Sequence, residues 1–428
     1  MGKFRWLIAA LLFTASAIAF IDRAALSVAA PFVRAELHLS PSQMGTIFSA
    51  FFAGYAIFCF IGGYAADRFG PKKTYAVAML IWSVFCGLTS VASSFTHLLV
   101  LRVFFGVGEG PMGAVTNKTA RNWFPPKETG IVMGLSPSGG NMVGAACAGP
   151  VVAYLASNFG WRVAFVGIML LGFVWLAAWL WLMSDLPSQN KRVTNEEARY
   201  IEQDRLGAAA PVLNDKLPLS HYLRSPLVLG IAFAFFASNY ILYFFLSWLP
   251  SYLVDVRHLD IRSMSLLGTI PWIMGLLGCT LGGLFSDALL RKSGNPTFAR
   301  KIIVVGGLVA GAILLLLATQ VTTTTSAIMI IAAITFLNAT TPLACWALVQ
   351  ETVPVGRVGS VGGYVHFLSN LSGIVGPAAT GFIIEYGGGY GASFVMAGAI
   401  AALAAIVVAL FVRAPPKSQR GARHINLS

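Results

Sequence analysis

The chain is built almost entirely from apolar stretches of about 20 residues, the length an α-helix needs to cross the ~30 Å hydrocarbon core of a bilayer. Twelve such stretches run near 6–30, 44–66, 75–95, 97–120, 131–157, 162–183, 226–250, 264–286, 302–320, 327–350, 358–383 and 390–412. Of 428 residues, 57% are hydrophobic and 11% charged, against about 25% charged in an ordinary soluble domain. No aqueous core takes up that much apolar surface, so lipid must cover it. The expected fold is all-α and integral to the membrane, with 12 transmembrane helices. The first run, 6–20, has the length of a secretory leader. No small-residue cleavage site follows it, and it continues through Asp22-Arg23 into further apolar residues, so it reads as a retained first span. Cys59, Cys86, Cys147, Cys279 and Cys345 all fall inside apolar stretches, without metal-ligand or disulfide spacing, and read as small packing residues.

The longest polar stretch, 184–225, separates six spans from six. It carries Lys191, Arg192, Glu196, Glu197, Arg199, Glu202, Asp204 and Arg205, a pattern suited to one surface helix and a linker. The expected organisation is therefore a six-helix bundle at 1–183, a cytoplasmic linker at 184–225, a second bundle at 226–412 and a cytoplasmic tail at 413–428. With the N-terminus placed in the cytoplasm, Arg34, Arg162, Arg257 and Arg262 face outside, and Arg23 and Arg102 lie within spans. That leaves 29 − 4 − 2 = 23 of the basic residues in the termini and cytoplasmic joints. Such a bias orients helical membrane proteins. The formal charge of +13 is thus a topology signal and not a nucleic-acid footprint.

The two halves repeat one motif. The joint after span 2 reads Gly63-Tyr64-Ala65-Ala66-Asp67-Arg68-Phe69-Gly70-Pro71-Lys72-Lys73. After span 8 comes Gly283-Leu284-Phe285-Ser286-Asp287, followed by Arg291-Lys292. The two aspartates are 287 − 67 = 220 residues apart, about half the chain. Gly63 is expected to let two helices approach closely. Asp67, Arg68, Gly70, Lys72 and Asp287 are expected to form a gating loop that latches helix ends through charge pairs and helix-dipole contacts. The other reading, that these charges only mark topology, leaves the glycines and the repeat unexplained. Related halves are what a rocking, alternating-access carrier needs, with its site between them near the midplane. The Gly-x-x-x-Asp-Arg-x-Gly-x-Lys-Lys loop resembles the signature of the major facilitator superfamily, and the degenerate second copy is similar to that family's pattern as well. The resemblance covers essentially the whole chain. It implies two pseudo-symmetric six-helix bundles and a fold able to work as a monomer.

An ionisable side chain within a span costs at least ~2.5–3.5 kcal/mol on insertion scales, so each one needs a reason. Well inside spans there are only Asp22 and Arg23 in span 1 and Arg102 and Glu109 in span 4. Arg102 and Glu109 are close to two helical turns apart, so they share a face at depths differing by about 10 Å. Asp22 and Arg23, being adjacent, point about 100° apart. One arrangement turns Arg23 toward an anionic substrate and Asp22 toward Arg102, with Glu109 deeper among Gly108, Gly110 and Pro111. An arginine stays charged and clamps a carboxylate through two parallel hydrogen bonds, whereas a buried acid can take up and release a proton. These are the parts of a proton-coupled anion carrier. A purely structural, neutral set of salt bridges is the alternative.

Two stretches sharpen the resemblance. Ile21-Asp22-Arg23-Ala24-Ala25-Leu26-Ser27 in span 1 and Arg102-Val103-Phe104-Phe105-Gly106-Val107-Gly108-Glu109-Gly110-Pro111 in span 4 are similar to the anion:cation symporter branch of the superfamily. Asn122-Trp123-Phe124-Pro125 adds to the likeness. That branch carries sugar acids and other organic anions with protons. The resemblance implies that Asp22 and Glu109 exchange protons, that Arg23 binds a substrate carboxylate, and that Arg102 tunes Asp22.

Other polar residues inside spans are candidates for substrate contact. Tyr55 sits mid-span with a hydroxyl that needs a partner. Tyr243 shares a face with Asn239 in span 7, Trp346 precedes Gln350 by one turn in span 10, and Asn370 follows His366 by one turn in span 11. Asn370 is the better ligand for sugar hydroxyls. His366 is a possible third proton site, though packing is the plainer role. In span 5 the run Gly134–Asn141 reads as close helix packing with a flexible gate, and its Gly139-Gly140 replaces a bulkier polar residue of related sugar-acid carriers. No Gly-x-x-x-x-Gly-Lys-Ser/Thr run, metal set or activated nucleophile is present to suggest a nucleotide site or an intramembrane enzyme. The expectation is a symporter without cofactor, driven by a proton gradient and residing in a bacterial inner membrane with both termini cytoplasmic. Its partners are protons, the bilayer and a small organic anion such as a hexuronate, aldonate or aldarate. A sodium-coupled carrier and an exporter or antiporter are the alternatives.

Overall fold

The computed structural model describes residues 3–207, 217–354 and 357–412. Residues 208–216 of the linker and the tail at 413–428 lie outside them. Among the described residues there is no strand, and 12 helices are long and apolar enough to cross a membrane. They are Phe4–Leu37, Pro41–Phe69, Pro71–Val91, Phe95–Trp123, Pro126–Phe159 and Trp161–Leu182 (spans 1–6). Spans 7–12 are Pro226–Asp255, Ile261–Ser293, Pro296–Ala318, Thr324–Thr352, Val358–Tyr386 and Gly389–Phe411. Every expected span is present. Most run several residues past the apolar stretch, because polar caps extend the helices beyond the part that hydropathy registers. Span 2 shows how: Ser40 and Gln43 form a reciprocal capping box ahead of Pro41.

The described residues gather into two compact units. The first comprises the described parts of Met1–Ala210 with Tyr243–Leu276 and Gly373–Ser393. The second comprises those of Pro211–Leu242, Leu277–Ser372 and Phe394–Ser428. Spans 7, 8, 11 and 12 each contribute to both.

Two of the spans that lie wholly in the first unit are interrupted. Span 4 is helical over Phe95–Glu109 and again over Met112–Trp123. Proline at 111 lacks the N–H that would continue the ladder, so the break falls directly after Glu109. Span 5 holds a π-helical segment over Gly134–Gly139 with Pro137 inside it, the usual response to a lost donor within a helix. Beyond this segment the expected close packing appears: a Cβ on Gly140 would lie 2.6 Å from the Phe13 carbonyl oxygen of span 1.

The linker contains the expected helix, Asn195–Gly207, but it is docked and not free on the surface. The Glu197 carboxylate is buried and accepts the backbone N–H groups of Phe4 and Arg5 at 3.2 and 3.1 Å, so it caps span 1. Arg5 joins it to Glu128 at the start of span 5, 2.8 Å away. At the opposite, distal end of the same unit, span 1 meets span 7. Ser27 donates to the Leu246 carbonyl at 2.7 Å, and Arg34 pairs with Asp255 at 3.1 Å. Nearby the Ser42 N–H donates to Glu385 of span 11 at 2.8 Å.

Candidate functional site: a buried charge quartet

Spans 1 and 4 bring all four intramembrane charges together within the first unit. Glu109 is fully buried, and Asp22, Arg102 and Arg23 are 1, 4 and 7% exposed. Arg23 is clamped to Glu109. Its Nε donates to Oε1 at 2.6 Å and a terminal nitrogen reaches the same oxygen. Both contacts fall on Oε1, so Oε2 has no partner among the described residues. Asp22 and Arg102 are not hydrogen-bonded, and Asp22 Oδ1 and Arg102 Nε are unpaired. Glu109 and Arg102 are nevertheless the charged groups whose fields reach Asp22. The quartet is neutral overall, yet only one of its two acid–base pairs is closed.

Aromatic rings supplement the single closed pair and line both arginines. The Arg23 guanidinium lies over Phe20, Phe51 and Tyr55, 5.0, 5.0 and 4.8 Å from their centroids. Arg102 lies over Phe51 and Phe105, at 5.5 and 4.9 Å. Phe51 thus serves both arginines. Desolvated contacts of this kind contribute about 2 kcal/mol each, which lets two like charges share one apolar region. Tyr55 is placed as expected, beside Arg23. Tyr243 joins the same cluster, its ring packed on Phe52 at 4.3 Å.

Trp346 and Asn370 belong to the second unit. Trp346 is half-buried between Phe235 and His366, with ring centroids 6.0 Å from each. A Cβ on Gly362 would lie 2.8 Å from its indole, so glycine leaves room for the ring on span 11. Asn370 is buried and donates one amide N–H to the His366 carbonyl of its own helix at 2.8 Å.

The repeated loop is held by partners that sequence spacing did not indicate. Asp67 pairs with Lys118 of span 4 at 2.6 Å, and Arg68 donates to the Tyr64 hydroxyl at 3.1 Å. Lys72 acts through its backbone: its N–H donates to Asp185 at 2.8 Å, and its carbonyl accepts the Trp179 indole N–H at 3.0 Å. Gly70 has φ +84°, and a Cβ there would sit 2.5 Å from the Asp185 carboxylate. Asp287 pairs with Arg300 at 3.2 Å, and Arg300 also reaches Glu351 at 3.3 Å. Gly63 does not make the expected close approach. An added Cβ would meet only Ala114, at 3.7 Å, whereas one on the neighbouring Gly62 would overlap Pro111 of span 4. One residue along a helix is a 100° rotation, enough to exchange the two roles.

Phe20, Phe51 and Phe105 were not foreseen as site residues. Each stands three or four positions from a foreseen one (Arg23, Tyr55 and Arg102), the spacing that puts two side chains on one helix face.

Twelve apolar helices and, within the first unit, a buried quartet of charges neutral overall are features of a membrane transporter. The family model described as the Major Facilitator Superfamily matches residues 12–377. The "Hexuronate transporter" of Bacillus subtilis is 44% identical over 404 residues, covering 94% of this chain and 93% of that protein. The "Probable sulfoacetate transporter SauU" of Cupriavidus necator is 32% identical over 396 residues, covering 92% of this chain and 90% of that protein. Among solved structures, a bacterial homologue of the human lysosomal transporter Spinster in an inward-facing and occupied conformation superposes with a TM-score of 0.74. It is 18% identical and covers 96% of this chain and 97% of that one, a likeness of fold. The chain belongs to the major facilitator superfamily and is a transporter, not an enzyme.

Proposed function

We propose that this chain is a proton-coupled uptake carrier for sugar acids, hexuronates first among them, working by alternating access between two six-helix bundles in a bacterial inner membrane. The observation that carries the reading is the closed Arg23–Glu109 pair beside the open Asp22–Arg102 pair. An incoming carboxylate needs the Arg23 fork that Glu109 occupies. A proton on Glu109 cancels its charge and frees the guanidinium, so anion and proton enter together. Asp22 is the second proton site, with Arg102 setting its field. Tyr55 and Tyr243 border Arg23 in the first unit, and Trp346 and Asn370, each in the second unit, are read as a stacking face and an amide for sugar hydroxyls. The hexuronate carrier at 44% identity supports this cargo, and the more distant sulfoacetate relative shares with it only the small organic anion. The basic bias of the joints supports cytoplasmic termini. The gating loop works at the same cytoplasmic face through Asp67 and Asp287.

The test is uptake of labelled hexuronates, aldonates and aldarates into proteoliposomes under an imposed pH gradient, for the wild type and Glu109→Gln. Gradient-driven uptake that the substitution abolishes, with exchange of internal for external substrate retained, is the expected result. Uptake indifferent to protons but driven by a sodium gradient would replace the reading with sodium coupling, and an unaltered Glu109→Gln would remove Glu109 from the proton path.

A further inference from the structure

We propose that Trp82 of span 3 is a positioning residue for proton exchange: its indole N–H is the donor that the Asp22 carboxylate takes when ionised and gives up when protonated. The inference rests on the proton role of Asp22 proposed above.

Trp82 is fully buried, and its Nε1 has no hydrogen-bond partner, as Asp22 Oδ1 has none. The indole and the carboxylate are immediate neighbours, so two unpaired and complementary groups face each other in a region closed to water. A buried N–H and a buried carboxylate oxygen left open in the same place call for an explanation. A bond made in only one protonation state supplies it. Cys86, one turn further along span 3, is buried as well and lies within the field of the same carboxylate. The charged and titratable groups facing Asp22 are Glu109, Arg102 and Cys86, with Arg23 adjacent in sequence. Of the groups named, Trp82 is a donor that never changes charge.

The backbone is shaped to bring Trp82 there. Gly108, next to Glu109 in span 4, abuts span 3 at this residue: a Cβ on Gly108 would lie 2.5 Å from the Trp82 backbone nitrogen and 2.8 Å from its Cα. Any other residue at 108 would push span 3, and the indole with it, away from the quartet. The glycine beside the proton-carrying acid of span 4 therefore sets the position of the donor that serves the acid of span 1.

A neutral donor to a carboxylate favours the ionised form, so removing it makes the acid easier to protonate. The test is an infrared titration of the reconstituted protein, following the protonated-carboxyl C=O band that Asp22→Asn removes. It is run for the wild type, for Trp82→Phe, and for the protein with benzothienylalanine at 82, where sulfur replaces the N–H at nearly unchanged volume. The expected result is a midpoint moved to higher pH by about one unit in both variants, with the pH optimum of uptake moving the same way. A midpoint unmoved in both, or moved in Trp82→Phe but not with the isostere, overturns the inference and leaves Trp82 a packing residue. Absence of any Asp22-dependent band in the wild type would overturn the inference together with the proton role of Asp22.

Discussion

Arg23 holds one carboxylate and three rings around a single guanidinium, and Arg102 holds two rings. Taking away one partner of a buried pair leaves the other charge uncompensated, at a cost of about 3–5 kcal/mol. Arg23→Gln is therefore expected to lower the melting temperature in detergent sharply. Arg23→Gln combined with Glu109→Gln should recover most of that loss, although neither protein would accumulate substrate. Phe51→Leu removes a ring from both arginines at once. It should cost about 2 kcal/mol or more and weaken substrate affinity, read from the same thermal scan and from half-saturation of uptake. The four charges were legible in the sequence because each is costly in lipid and hence rare. Their aromatic partners were not, since with 30 phenylalanines in the chain most simply face lipid or core. Which way Arg23 points was also illegible. The 100° between Asp22 and Arg23 is local, but the rotation of span 1 against span 4 is a property of packing.

At the scale of helices, the glycines of the span 4 motif divide their work by direction. A Cβ on Gly106 would overlap the Phe51 carbonyl oxygen of span 2, and one on Gly54 would overlap the Val103 carbonyl of span 4. The two backbones therefore touch beside the quartet, and their approach is what brings Phe51 within reach of both arginines. Gly106→Ala, Gly54→Ala and Gly62→Ala are expected to destabilise the protein by about 1–3 kcal/mol and to reduce uptake, whereas Gly63→Ala should leave the melting temperature within error. That contrast checks the exchanged roles of Gly62 and Gly63. Span positions were readable to within several residues because hydropathy and topology charges are spread along each helix. The break after Glu109 was written in Pro111. The docking of the linker helix through Glu197 was not readable, because an acid in a charged stretch looks the same whether solvated or buried.

For the whole molecule, the distal end of the first unit is shut by direct backbone contact. A Cβ on Gly45 would lie 2.5 Å from the Pro377 carbonyl oxygen of span 11 and 3.2 Å from Gly381. In the alternating-access cycle proposed above, this contact must reopen and close again on each turnover. Gly45→Leu should therefore hold the distal end apart. It should fold, bind substrate from that side, and fail to transport, as equilibrium binding and uptake measured on one preparation would show. The repeat of the loop motif at a spacing of 220 residues made two related halves legible. The partners of that motif, Lys118 and Arg300 on other helices and Asp185 in the bend after span 6, appear only when the chain is folded.

The Arg23–Glu109 pair joins residues 86 positions apart, and this has a consequence for how the protein is made. At 5–20 residues per second, a ribosome delivers span 1 roughly 4–17 s ahead of the carboxylate that will neutralise it. During that interval Asp22 and Arg23 enter the membrane with only each other for company. Setting an acid next to the base gives the nascent span a temporary internal counter-charge, whereas Arg102 and Glu109 of span 4 stand about 10 Å apart along the axis and offer each other far less. In the finished protein Arg23 has taken Glu109 of the neighbouring helix as its partner, while Asp22 and Arg102 are left without a hydrogen bond between them.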